Sequence, residues 1–250
     1  MQRTLVLDIE TSPILAYIWE LGEQRVNVDQ IKTDWFIMAW CAKWLGDSPR
    51  KAIYYDTRKE KPGNDKPILL PLWDLLNEAD IVITQNGVKF DSRKINARFM
   101  LHGMPPPKPY QHIDTYRLTK KVAEFSSHKL SYLTDNLCHD QKKVTHGKFP
   151  GLSLWIECLK GNHMAWEEMK HYNIKDVLST EELYLNVKAW APESMPKIYP
   201  MAESGKCHTC GFEGAMRKGR DRIRKSGVYT QDMCPKSGTW QIARQKKVKK

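Results

Sequence analysis

The run Thr4-Leu5-Val6-Leu7-Asp8-Ile9-Glu10-Thr11 sets two acids into an otherwise apolar segment, and few folds accept that pattern. Alternate side chains of a β-strand leave opposite faces, so Leu7 and Ile9 bury on one side while Asp8 and Glu10 project together on the other. Two carboxylates on one face repel each other. A cation between them removes the repulsion, and hard oxygen ligands at this spacing suit Mg2+ or Mn2+ rather than zinc. Taken alone, an Asp-x-Glu pair more often ends an edge strand in solvent, so the rest of the chain has to decide.

Two further constellations bear on it. After the apolar run Asp80-Ile81-Val82-Ile83-Thr84 comes Gln85-Asn86-Gly87-Val88-Lys89-Phe90-Asp91, which reads as a turn into a helix with an acid near its N-terminus. Much later, Tyr172-Asn173-Ile174-Lys175-Asp176 lies inside a stretch from Met164 to Trp190 that reads as one long helix. Tyr172 and Asp176 are four residues apart and therefore share a helical face.

Together these residues resemble the DEDD, or DnaQ-like, exonucleases in their tyrosine-bearing branch. Asp8-x-Glu10 is similar to that family's first motif, Asn86-x-x-x-Phe90-Asp91 to the second and Tyr172-x-x-x-Asp176 to the third. Ile113-Asp114-Thr115 followed by Ser127-His128-Lys129-Leu130-Ser131-Tyr132-Leu133 resembles the segment between motifs two and three. The resemblance spans roughly residues 1–190. It implies an RNase H-like fold with an antiparallel second strand and attack from the 3′ end.

The chemistry can be stated without the family. Phosphodiester cleavage needs a nucleophilic hydroxide at neutral pH and a sink for charge on the leaving oxygen, and two divalent ions about 4 Å apart supply both. The resemblance implies that Asp8 bridges both ions and that Glu10 and Asp176 complete the tighter site. Asp91 then serves the second ion, directly or through water, and Tyr172 holds the attacking water.

Charge is uneven along the chain. Residues 201–250 hold 13 Lys and Arg against 4 Asp and Glu, whereas the first 200 residues are close to neutral. A near-neutral body with a basic C-terminal part points to capture of a polyanion by that part. Nothing at the N-terminus has the form of a signal peptide and no run approaches a membrane span, which predicts a soluble, cytosolic protein. The six cysteines suit free thiols or metal ligands better than disulfides.

The patterning predicts strands over Thr4–Glu10, Trp35–Trp44, Lys51–Tyr55, Asp80–Thr84 and Ile113–Tyr116, and helices over Leu69–Ala79 and Ser92–Leu101 besides the long one. That order suits an α/β fold, a mixed sheet flanked by helices. Three prolines between Ala191 and Pro200 stop the last helix and set a domain boundary there. The expected organisation is an exonuclease domain over 1–190, a Pro-rich linker over 191–205, a small basic module over 206–242 and a disordered tail over 243–250.

Within that module Cys207-His208-Thr209-Cys210-Gly211 resembles the first knuckle of a zinc ribbon. The second, Cys234-Pro235-Lys236-Ser237-Gly238, carries Ser237 where a fourth cysteine would stand. Structural zinc takes four ligands. The shell of Cys207, Cys210 and Cys234 is therefore completed by His208 or by a residue from elsewhere, or the module folds without metal. Around the knuckles, Arg217, Lys218, Arg220, Arg222, Arg224 and Lys225, with Asn86 and Phe90 near the acids, are the candidate nucleic-acid contacts.

The reading is a Mg2+- or Mn2+-dependent 3′→5′ exonuclease acting on single-stranded or 3′-ended DNA, with no membrane partner. Two alternatives stay open: an exoribonuclease, and a catalytically silent nucleic-acid-binding protein.

Overall fold

A strand that is apolar on both faces needs cover on both, and β1 (Thr4–Thr11) finds it in the middle of a five-stranded sheet. The computed structural model describes residues 3–22, 25–143, 147–192, 207, 210–214, 217–218, 222–224, 227–238 and 240–245. Past β1 the chain forms a short arm in which β2 (Leu15–Ala16) pairs antiparallel with β3 (Ile31–Thr33). It continues through β4 (Ile37–Trp44), β5 (Ile53–Asp56), α1 (Lys66–Glu78), β6 (Ile81–Thr84), α2 (Asp91–Leu101) and β7 (Gln111–Asp114). Four helices follow: α3 (Thr115–Val122), α4 (Leu130–Leu137), α5 (Ser153–Leu159) and α6 (His163–Val187).

The sheet order is β5-β4-β1-β6-β7. β4 runs antiparallel to β1 and β5, while β1, β6 and β7 are mutually parallel. This is the mixed sheet with an antiparallel second strand that the resemblance implied. Among the described residues no helix is long and apolar enough to cross a membrane.

Side-chain alternation along β1 decides where the acids emerge. Leu5, Leu7 and Ile9 pack with Trp40 of β4, Leu69 and Leu72 of α1 and Phe99 of α2. Val6 leaves the opposite face and packs with Leu118 of α3, Leu133 of α4 and Val177, Leu183 and Tyr184 of α6. Asp8 and Glu10 share the parity of Val6 and so face α6. Each buried aliphatic side chain contributes about 1.5–3 kcal/mol. A one-residue slip would turn Leu7 and Ile9 toward α6 and drive both acids into the α1/α2 core, which holds the register.

A buried carboxylate ties the other face together. Asp65, fully buried before α1, accepts from the Ile37 backbone N–H at 2.9 Å and from Arg98 Nε and Nη2 at 2.7 Å each, with His102 Nε2 at 2.6 Å. It joins β4, α1 and α2, and so fixes the helix that begins at Asp91.

The predicted strand over Ile113–Tyr116 is corrected: β7 ends at Asp114 and Thr115 starts α3. Asp114 is the reason, because its carboxylate accepts from the Arg117 N–H at 3.2 Å and caps the new helix. The long helix runs His163–Val187 rather than Met164–Trp190. In the C-terminal part, β10 (Gly227–Met233) pairs antiparallel with β8 (Arg217–Lys218), β9 (Arg222–Arg224) and β11 (Trp240–Gln245). β11 passes residue 242, where the sequence reading ended the module. Residues 193–205 of the expected linker, residue 206 of the module and 246–250 of the tail lie outside the described residues.

Candidate active site

β1 and α6 bring the first and third motifs together. Asn162 opens α6 by accepting from the Met164 N–H at 3.0 Å. From there the helical repeat aims Tyr172, Asn173 and Asp176 at the sheet, since positions three and four apart share a face. Oxygens of Asp8, Glu10 and Asp176 lie within 4.8 Å of one another. Asp8 and Glu10 keep some exposure, and Asp176 is buried.

The second motif reaches the site through a constrained turn. Asn86 takes φ +63°, in the left-handed region, and Asp114 holds the turn by accepting from the N–H groups of Asn86 at 2.9 Å and Val88 at 3.2 Å. Gly87 is required by space, because a Cβ there would stand 2.1 Å from Thr84 Oγ1. The turn delivers Asp91 to the start of α2, where its Oδ1 accepts from the Ile9 N–H at 3.1 Å. Asp91 falls outside the close trio but is near enough to add to the repulsion on Asp8.

Burial and mutual repulsion govern these acids. Desolvation, then Asp176, Asp91 and Glu10, push the Asp8 carboxyl well above the usual carboxylate range. Desolvation and Asp176 push Glu10 up to about 8, and desolvation pushes Asp91 up to about 7. A concentrated all-oxygen donor set whose own charges repel is the chemistry that a hard divalent cation satisfies. Burial and Asp176 also push the Tyr172 phenol up, so it is a neutral hydroxyl at working pH.

Three side chains that the sequence reading did not single out complete the surroundings. Asn173 Nδ2 donates to Asp8 Oδ2 at 2.6 Å, and its spacing of three from Asp176 was the available signal. Trp155 Nε1, from α5, donates to Glu10 Oε2 at 3.2 Å, and the indole meets the Tyr172 ring edge to face at 6.3 Å. Lys143 Nζ lies 2.5 Å from Asp176 Oδ2 and 4.8 Å from the Tyr172 ring centre. Burial opposes its charge, yet Asp176 and Tyr172 hold the ammonium above its usual range. The loop leading to Lys143 is pinned by Glu182, which accepts from the N–H groups of His139 at 2.7 Å, Asp140 at 3.2 Å and Gln141 at 2.5 Å.

Of the candidate nucleic-acid contacts, Phe90 is 40% exposed beside Lys94, whose Nζ sits 3.5 Å from the Trp35 ring centre. Arg217 and Lys218 lie on β8, and Arg222 and Arg224 on β9. Arg220, Lys225 and His208 lie outside the described residues. The sulfurs of Cys207, Cys210 and Cys234 gather within 4.8 Å of one another.

A family model described as the RNase_H superfamily matches residues 5–187, a span that contains every acid named above. No curated protein matches the chain. Among solved structures, the family B DNA polymerase from the hyperthermophilic archaeon Pyrobaculum calidifontis is similar with a TM-score of 0.56 at 14% identity. The match takes in 77% of this chain but 26% of the polymerase, and at that identity it speaks for the fold alone.

Proposed function

Because this chain belongs to the RNase H superfamily, we propose that it is a metal-dependent 3′→5′ exonuclease of the tyrosine-bearing DEDD type, acting on DNA. Superfamily and fold support a nuclease-type function. The observation that carries the finer reading is the meeting of Asp8, Glu10 and Asp176 oxygens within 4.8 Å, with Tyr172 one helical turn before Asp176.

In this reading Asp8, Glu10, Asp176 and Asp91 would hold two Mg2+ or Mn2+ ions, which would supply an activated water and offset charge on the leaving 3′ oxygen. Asn173 and Trp155 set the Asp8 and Glu10 carboxylates, so the ligands are oriented before any ion arrives. Tyr172, kept protonated, orients the attacking water through its hydroxyl rather than acting as a base. Lys143 keeps a positive charge beside Asp176, where an incoming phosphodiester needs it. The exonuclease domain is taken as residues 1–190 and the basic C-terminal part as the element that captures substrate.

The test is incubation of the protein and its Asp8→Asn variant with 5′-labelled single-stranded DNA, duplex DNA and RNA, with Mg2+, Mn2+ or chelator. The expected result is a DNA ladder that shortens from the 3′ end, needs metal and is absent in the variant. Internal cuts would refute exonucleolytic action, degradation of RNA alone would reassign the substrate, and activity in Asp8→Asn would remove the two-ion assignment.

A further inference from the structure

The knuckle that lacks its fourth cysteine has kept the shape of a metal knuckle. In the first, the Gly211 N–H donates to the Cys207 carbonyl at 2.8 Å and Gly211 takes φ +69°. In the second, the Gly238 N–H donates to the Cys234 carbonyl at 2.9 Å and Gly238 takes φ +68°. The two turns share this closing hydrogen bond and this glycine conformation, and Ser237 stands in sequence in its turn where Cys210 stands in the other. An N–H also points at sulfur, from Ser237 to Cys234 Sγ at 3.4 Å, as suits a thiolate.

The spacings are those of a tetrahedral ion. Zinc bonds thiolate at about 2.3 Å and oxygen at about 2.0–2.2 Å, which makes tetrahedral S···S edges about 3.8 Å and S···O edges about 3.6 Å. Cys210 Sγ lies 3.6 Å from Cys234 Sγ, and Ser237 Oγ lies 3.6 Å from Cys207 Sγ. None of the six cysteines is in a disulfide, so no such bond competes for these sulfurs. Cys207 and Cys234 are buried. Buried thiols this close, with no apolar cluster of the described residues around them, need another reason to converge.

We propose that the C-terminal module binds one zinc ion through the thiolates of Cys207, Cys210 and Cys234, with the Ser237 hydroxyl as the fourth ligand. A neutral hydroxyl is a weaker donor than a thiolate, so the ion is held less tightly than by four cysteines. Substituting cobalt reports on this directly, because only thiolate ligation gives the near-ultraviolet sulfur-to-cobalt charge-transfer band, and ions in the carboxylate cleft do not contribute to it.

The experiment uses full-length protein purified under reducing conditions without chelator. Elemental analysis is expected to find about one zinc per chain, the number a single four-ligand site holds. In the cobalt form, Ser237→Cys should raise the band by about one third, from three thiolates to four, and Cys210→Ser should lower it by about one third. Ser237→Cys should also tighten zinc against a competing chelator by at least about tenfold, the scale on which even a ligand's outer partners move affinity. Absence of stoichiometric zinc would overturn the proposal. So would a band and affinity unchanged in Ser237→Cys, a substitution that adds a single sulfur in place of oxygen and leaves both turns intact.

Discussion

Asn173 Nδ2 donates to Asp8 Oδ2 at 2.6 Å, so the helix that carries Asp176 is hydrogen-bonded to the strand that carries Glu10. Asn173 is fully buried, and the bond fixes the carboxylate assigned to both ions. Asn173→Ala should leave the fold in place while lowering metal affinity or activity by about 10–100-fold, the usual cost of losing a partner behind a ligand. Titration of activity with Mg2+ measures it; an unchanged half-maximal concentration and rate would leave Asn173 with a packing role only.

The crowded acids make a pH prediction for protein in chelator. Glu10 titrates at about 8 and Asp91 at about 7, so the folded chain holds protons that the unfolded chain, with carboxyls near 4, has released. Stability from these groups is full below about pH 4 and is lost as pH rises through their folded values. The melting temperature in chelator should therefore fall between about pH 5 and about pH 8.5, and Glu10→Gln should reduce that fall, at about 2–4 °C per kcal/mol. Added Mg2+ or Mn2+ should restore stability at the alkaline end. A melting temperature that climbs with pH in chelator would contradict the repulsion.

Tyr172 and Lys143 touch each other but should fail differently. Tyr172→Phe removes a hydroxyl and no ligand, so the cleavage rate should drop while the metal dependence stays. Lys143→Met removes the ammonium beside the buried Asp176, a loss of about 1–3 kcal/mol in chelator once partial exposure of the lysine is allowed for. Metal should recover most of that loss. Equal melting temperatures of Lys143→Met and wild type in chelator would show that the ion pair does not stabilise the cleft.

Asp65 tests the scaffold apart from the chemistry. Asp65→Ala strands the Arg98 guanidinium, itself 8% exposed, without its carboxylate. A loss of about 3–5 kcal/mol is expected. Denaturant unfolding reads it directly, and a change below about 1 kcal/mol would mean that water replaces the pair.

A chain ending at Ala191 keeps every proposed catalytic side chain but loses the part that holds 13 Lys and Arg against 4 acids. It should still cut short oligonucleotides at high enzyme concentration. Binding should weaken and depend less on salt, the slope of log K against log salt falling by about 0.7 for each phosphate of a single strand that is no longer neutralised. Binding and slope equal to those of the full chain would remove the tail from substrate capture.

Local periodicity made much of this legible beforehand. The alternation in Leu5–Glu10, the turn chemistry of Asn86-Gly87 and the spacing of Tyr172 and Asp176 each act over a few residues, and the strands and helices they imply were found with shifts of one to three residues. β7 ends at Asp114 although Ile113-Asp114-Thr115-Tyr116 has strand propensity, because the Asp114 cap overrides it and is invisible to propensity. What only the tertiary structure decided lies between distant segments. Asn173 meets Asp8 across 165 residues, Trp155 meets Glu10 across 145, and Lys143 reaches Asp176 from a loop with no periodic pattern. Spacing rules end with the helix or strand that generates them, whereas these contacts depend on how α5, α6 and the loop before them pack against the sheet.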